Sequence, residues 1–289
     1  MKVLVLGSNG MLGSRIVSVL RTRGISTCST SRTGGLDETD IPYEVSGKSA
    51  VKLLESDCPN PDYVINAIGV IKPRIHESDM SSVRQAIQVN SEFPFELATA
   101  AQKIGARIIQ IATDCVYSGA VGAYSEAAPH DPTDVYGKTK SLGEVVAENV
   151  MHIRSSIVGP EVGRSTSLWE WIRSQPFGAT IGGYTTHLWN GVTTDAFGEI
   201  CAVIINQDLF AAGKIHLVPA DCVSKYELLR LIVHRCSRGD LTIEPQSPRP
   251  PIDRTLSTEN PHQVRKLWNS SSFNKVPRIE EMISLVSIP

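Results

Sequence analysis

Tyr136 and Lys140 stand four residues apart, so a helix through Tyr136-Gly137-Lys138-Thr139-Lys140 carries a phenol and an ammonium on one face. A nearby ammonium favours phenolate and draws a tyrosine pKa down from about 10 toward neutral. Such a phenol can give a proton to a carbonyl oxygen as hydride reaches the carbon, or take one in reverse. Of the seven tyrosines, only Tyr136 has a lysine four places on. An exposed helix face explains most pairs of this spacing, so context decides. Thr113 closes the apolar run Arg107–Ile111 and lies 23 residues before Tyr136. A hydroxyl at a strand end can orient a reacting carbonyl, or it can simply bond local backbone. Asn90, in Gln88-Val89-Asn90-Ser91, either anchors a water relay to Lys140 or faces solvent as a plain amide.

A second pattern opens the chain. The apolar run Val3–Leu6 passes into Gly7-Ser8-Asn9-Gly10-Met11-Leu12-Gly13 and then an amphipathic stretch. Glycines three residues apart let backbone turn tightly, admit a diphosphate against bare N–H groups and bring helix onto strand. The helix N-terminus adds partial positive charge. A ligand-free glycine turn is the plain alternative; the position directly after a first strand favours a dinucleotide. The next strand ends at Thr30-Ser31-Arg32-Thr33, with no carboxylate until Asp37. An acid there would hold the ribose 2′-hydroxyl of NAD, and an arginine accepts a 2′-phosphate, so NADP(H) is favoured over NAD(H). Otherwise Arg32 is a solvated surface charge.

These groups need a scaffold. Strands are expected at Val3–Leu6, Ile25–Thr30, Tyr63–Ala67, Arg107–Ile111 and His152–Ser155, and helices at Met11–Arg23, Ser49–Leu54, Met80–Ile104 and Tyr136–Glu148. Strands this apolar, alternating with helices, predict an α/β fold of Rossmann type: a doubly wound parallel sheet covered on both faces. Right-handed crossovers bring the strand ends to one rim, where ligands of such sheets bind. After Gly159 the prolines, Gly182-Gly183 and Trp169, Trp171 and Trp189 read as loops and short helices of a smaller C-terminal substrate-binding lobe. A strand is expected at Lys214–Val218, a helix at Ser224–Arg235 capped by Ser224, and an extended connector at Glu244–Pro251. The division is residues 1–158, rejoined by about 188–218, as the cofactor domain, with 159–187 and 219–289 as the lobe.

Composition excludes several classes. The 289 residues are 41% hydrophobic and 20% charged with net charge −2, which argues against a nucleic-acid or membrane surface. The opening apolar run is too short for a signal peptide, and no stretch reaches the roughly 20 apolar residues of a membrane span. Six cysteines without close pairing or metal-ligand spacing read as reduced thiols in a cytoplasmic protein, and no metal is expected.

The motifs resemble those of extended short-chain dehydrogenases/reductases, in the dTDP-4-dehydrorhamnose reductase-like branch. The matching pieces are Gly7/Gly10/Gly13, Asn66-Ala67-Ile68-Gly69, Val89-Asn90, Ala112-Thr113-Asp114-Cys115-Val116-Tyr117-Ser118-Gly119, Tyr136-Gly137-Lys138-Thr139-Lys140 with Gly143-Glu144, and Ile153-Arg154-Ser155-Ser156. Asn190-Gly191-Val192-Thr193-Thr194 is similar to a Gly-x-Pro-Thr segment near that branch's substrate. The resemblance implies a Thr113–Tyr136–Lys140 triad assisted by Asn90, with Lys140 also on the nicotinamide ribose. Residues 7–13, Ser31, Arg32 and Ala67-Ile68-Gly69 would hold the dinucleotide. Thr113, Asp114, Cys115 and Tyr136 would face a nucleotide-sugar substrate, with hydride passing from NADPH to C4 of a 4-keto-6-deoxy sugar in polysaccharide biosynthesis; a homodimer is the expected assembly. The same triad serves NAD-retaining epimerases, dehydratases and ring-remodelling enzymes, and the branch includes non-catalytic regulatory subunits. Ala112 in place of serine, Val192 in place of proline and the Ile68–Pro73 segment depart from the rhamnose pattern, which leaves the sugar open. Trp169, His187, Trp189 and Asn190 either line a sugar-nucleotide pocket or glue the lobe to the cofactor domain. Arg164, Lys72 and Arg254 either meet a diphosphate or are surface charges.

Overall fold

Four consecutive apolar residues, Val3 to Leu6, are completely buried, which requires cover on both faces of their strand. In the computed structural model, which describes residues 1–34, 37–47, 49–161 and 166–288, helices supply that cover. Strands β1 (Lys2–Leu6), β2 (Ser26–Ser31), β3 (Asp40–Pro42), β4 (Tyr63–Asn66), β5 (Arg107–Ala112), β6 (Val150–Arg154) and β7 (Gly213–His216) form one parallel sheet in the order β7-β6-β5-β4-β1-β2-β3. Along β1 the two-residue period sends Val3 and Val5 into a core with α1 (Met11–Thr22) and α6 (Thr194–Asn206), and Leu4 and Leu6 into one with α3 (Phe93–Lys103). Each such side chain contributes on the order of 2 kcal/mol by leaving water. The chain winds from β1 to β3 on one side, then crosses to β4 and onward on the other. The switch point therefore lies between β1 and β4, where the glycine turn and Asn66–Gly69 meet.

Several boundaries differ from expectation, each for a physical reason. The stretch expected as one helix over Met80–Ile104 is α2 (Met80–Ile87), a wide π turn at Gln88–Glu92, and α3. Pro94 has no N–H to give the Asn90 carbonyl, so the ladder widens there. The helix expected over Tyr136–Glu148 is only α4 (Val135–Leu142). Gly143 ends it packed on Asn90, where a Cβ would lie 1.9 Å from the carbonyl oxygen, and Glu144 turns inward to Arg154. Beyond Gly159 the short α5 (Leu168–Arg173) fits, but α6 runs for 13 residues. It is buried nearly all round, so no amphipathic period announces it. The proline-rich connector begins as strand: Thr242–Gln246 pairs in parallel with Thr180–Tyr184, a two-stranded ribbon in which the missing N–H of Pro245 does no harm. Ser224 caps α7 (Lys225–Arg235) as expected, in a full capping box with Glu227. A small sheet of Val223–Ser224, His187–Trp189 and Ile252–Asp253 completes the C-terminal part. Among the described residues no helix is long and apolar enough to cross a membrane.

Candidate active site

The polar end of β5 and the first turn of α4 meet at the rim. Thr113 continues β5 in extended conformation, and its Oγ1 accepts from the Cys115 N–H at 3.2 Å. Asp134 caps α4 by accepting from the Gly137 N–H at 2.8 Å. Gly137 lets the helix settle on this turn, since a Cβ there would lie 2.2 Å from the Cys115 carbonyl oxygen. That close approach brings the Tyr136 phenol beside the Thr113 hydroxyl. Lys140, one helical turn on, donates from Nζ to the Ile111 carbonyl oxygen at 2.9 Å, at the end of the same strand. All three side chains line one cavity of about 360 Å³, with Asp114 and Cys115 beside them and Ser155, Ser156 and Glu161 opposite.

The electrostatics correct one expectation. Burial pushes the Tyr136 phenol up, not down, with Cys115 nearby adding to the rise and the Thr113 hydroxyl opposing it. Lys140 spends a bond on the Ile111 carbonyl, and its own pKa falls to about 8 by burial against the pull of Glu144. The phenol is thus held as an acid, which suits donating a proton. Burial likewise pushes the Cys115 thiol up to about 12.

The glycine turn fits a dinucleotide diphosphate. Gly7 takes φ +84, and a Cβ at Gly13 would lie 2.2 Å from the Gly7 carbonyl oxygen, so only hydrogen fits. Gly10, at the N-cap of α1, has no side chain to occupy the first N–H groups, and Gly10, Met11 and Leu12 line the cavity. Asn9 is half-buried in the turn. A second cavity of about 310 Å³ lies on the other side of Ala67, Ile68 and Gly69, which line both. Arg32 faces it, with Tyr43, Glu44 and Val45. The two cavities give room for an extended two-part ligand across the switch point. Asn66 fixes the wall between them, donating to Gln110 Oε1 at 3.0 Å and accepting from the Ile68 N–H at 3.1 Å.

Not every expected residue arrives. The Ser8 and Ser31 hydroxyls turn inward to Asp40 rather than toward a ligand. Asn90 is not solvent-facing: it is 2% exposed, and its amide bonds Val70 N–H and carbonyl, both at 2.9 Å, and Thr139 Oγ1 at 3.1 Å. Trp189 is 4% exposed and gives its indole N–H to Ser156 Oγ, while Asn190 clasps the Leu256 backbone from both amide atoms. Neither lines the cavity, and Trp169 is wholly buried. His187 is half-buried against Tyr184. Lys72 pairs with Asp134 at 2.9 Å, and Arg254 donates to the Tyr117 carbonyl; Arg164 lies outside the described residues. Sequence reasoning missed Arg74, which lines both cavities from a one-turn 3-10 helix after β4. It also missed Lys225, half-buried over the Trp189 ring with its Nζ 5.5 Å from the centroid. Isolated cations carry no spacing signal.

Residues 1–159 match the model of the RmlD substrate binding domain. The chain is 35% identical over 142 residues to a dTDP-4-dehydrorhamnose reductase of Streptomyces griseus, covering 49% of this chain and 43% of the relative. With a protein of the same name from Burkholderia thailandensis it shares 31% identity over 150 residues, 51% of this chain and 46% of that one. The matched segment thus spans less than half the length of either relative. Its fold is similar to that of a Bacillus anthracis dTDP-4-dehydrorhamnose reductase solved in complex with NADP, with TM-score 0.74, 18% identity, and 98% and 96% of the two chains covered. At that identity the likeness is one of fold.

Proposed function

The chain belongs to the family of the RmlD substrate binding domain, and from that premise we propose that it is an NADPH-dependent reductase of a keto group, at C4, on a deoxy sugar linked to a nucleotide diphosphate. The observation that carries the reading is the convergence of the Thr113 hydroxyl, the Tyr136 phenol and the Lys140 side chain on one cavity beside the glycine turn. When bound, a reduced nicotinamide supplies hydride. Thr113 donates a hydrogen bond that orients the substrate carbonyl, and Tyr136 delivers the proton to its oxygen. The raised phenol pKa supports this direction, because the group stays protonated until it is used. Lys140, held at the end of β5, holds the ribose hydroxyls. Asp114 and Cys115 contact the sugar. Arg32 and Arg74 lining the second cavity support NADPH, since a guanidinium pair suits a 2′-phosphate.

Residues 1–158, rejoined by about 188–218, form the cofactor-binding part in this reading, and the remainder forms the substrate lobe. Exposed apolar side chains on α2 to α4 and just beyond them, Met80, Phe95, Leu142 and Val146, support a homodimer. The test is a panel of nucleotide-linked 4-keto-6-deoxy sugars offered with NADPH, followed at the nicotinamide absorbance. Consumption with at least one sugar is expected. A protein that binds NADPH yet consumes none across the panel refutes reduction, and one purified with stoichiometric NAD points to epimerisation instead.

A further inference from the structure

Asp40, the first residue of β3, is only 7% exposed, although carboxylates are costly to bury unless well bonded. Three serine hydroxyls reach it. Oδ1 accepts from Ser29 Oγ at 2.9 Å and shares the single Ser8 Oγ hydrogen, at 3.0 Å, with the Thr30 carbonyl oxygen at 2.9 Å, and Oδ2 accepts from Ser31 Oγ at 2.6 Å. All three serines are themselves buried, so water does not replace a lost partner cheaply.

What the three serines belong to matters more than their number. Ser8 is the second residue of the glycine turn, whose Gly7 and Ser8 N–H groups both donate to the Thr30 carbonyl at the end of β2. Ser31 is the last residue of β2, directly before Arg32, and its oxygen accepts from the Gly34 N–H at 3.0 Å in the loop beyond. The parallel register, Ser29 against Asp40, sets the carboxyl between turn and strand end. We propose that Asp40 is a positioning residue that locks the diphosphate turn to the strand end carrying Arg32, so that the two ends of the dinucleotide site depend on one carboxyl. This rests on the dinucleotide reading of the preceding subsection. Asp40 does not touch the ligand: it holds the turn in the shape that does, and sets where Arg32 starts. NADPH and NADH therefore depend on it alike, whereas Arg32 itself matters for the 2′-phosphate alone.

The test compares Asp40→Ala, Ser8→Ala, Arg32→Ala and, as a control, Asp37→Ala, an exposed acid of the same loop paired with Arg21. Dissociation constants for NADPH and NADH are read from nicotinamide fluorescence on full-length protein, with KM and kcat measured beside them. Asp40→Ala is expected to weaken both dinucleotides by about tenfold and Ser8→Ala by about threefold, the cost of one or more lost buried bonds. The loss should fall on KM more than on kcat. Arg32→Ala should weaken NADPH alone, and Asp37→Ala neither. If Asp40→Ala fails to fold, Ser8→Ala, which deletes one of the three hydroxyls on the carboxyl, carries the test. Folded variants at both positions that bind both dinucleotides as tightly as the parent overturn the proposal, as does a loss confined to NADPH. A parent protein that binds neither dinucleotide refutes the underlying reading, and the proposal with it.

Discussion

Two polar clusters lie close together at the ends of β5 and β6, built from similar residue types and spent in opposite ways. In one, Thr113, Tyr136 and Lys140 line a cavity and keep polar groups turned toward it. In the other, Arg154 is 1% exposed and donates to Glu144, to Tyr117 Oη at 2.9 Å, to His216 Nε2 at 2.7 Å and to His130 Nε2 at 3.1 Å. Because the guanidinium is donor only, both histidines accept at Nε2 and carry their proton on Nδ1. His130 pairs there with Ser141 Oγ at 2.7 Å, and His216 with the Ser257 carbonyl at 2.8 Å. The second cluster thus stitches β6, the end of α4, β7 and the 117–130 and 257–259 segments into one unit. A hydroxyl, a cation and a ring do chemistry only where the fold leaves them facing a cavity beside their internal partners. Glu144 connects the two, pairing with Arg154 while its charge holds up the pKa of Lys140.

The contrast can be broken by mutation. Tyr136→Phe should cut turnover by about 10²- to 10⁴-fold while NADPH affinity changes little, checked by steady-state rates beside a dinucleotide titration; turnover near that of the parent would remove the distinction between the clusters. Arg154→Met should act on folding instead, costing about 3–5 kcal/mol in urea unfolding, because Glu144 is left buried without its partner. Any protein that stays folded should still bind dinucleotide.

Titration sharpens the same contrast. Burial, then the Arg154 charge, lowers the His216 pKa from 6.5 to about 4, so the folded protein keeps this ring neutral. As pH falls from 6.5 toward 4 the unfolded chain takes up the proton first, and stability drops by up to about 3 kcal/mol. Unfolding curves measured across that range should flatten in His216→Gln; an unchanged slope would show that the ring contributes no such term. The proposed catalytic cluster should respond at the other end of the scale. With the Lys140 pKa lowered to about 8, kcat/KM should fall as pH rises through that value. In Glu144→Gln, which removes the charge that opposes this lowering, the alkaline limb should move to lower pH. A limb that stays in place would separate Glu144 from Lys140.

Much of the first half was legible. Apolar runs too continuous for a wet face gave the parallel sheet, and the spacing of Gly7, Gly10 and Gly13 and of Tyr136 and Lys140 gave the cavity its main walls. Helix ends were less so. The early stop at Leu142 depends on Gly143 meeting Asn90, a contact between segments some 50 residues apart, and the π turn at Gln88–Glu92 follows from Pro94. Polar and aromatic residues of the C-terminal part were legible only by type. Trp189 and Asn190 look like pocket residues in sequence, and packing turned both to internal partners.

Local chemistry, then, was determined by the sequence alone: which strands must be covered, where backbone must bend through glycine, and which phenol can share a helix face with an ammonium. These follow from steric and periodic rules that act over a few residues. Only the tertiary structure decided which hydroxyls, amides and cations remain free to act. Whether Ser8 meets a ligand or Asp40, and whether a phenol is pushed up or down, depends on groups brought from distant strands and on the water they exclude.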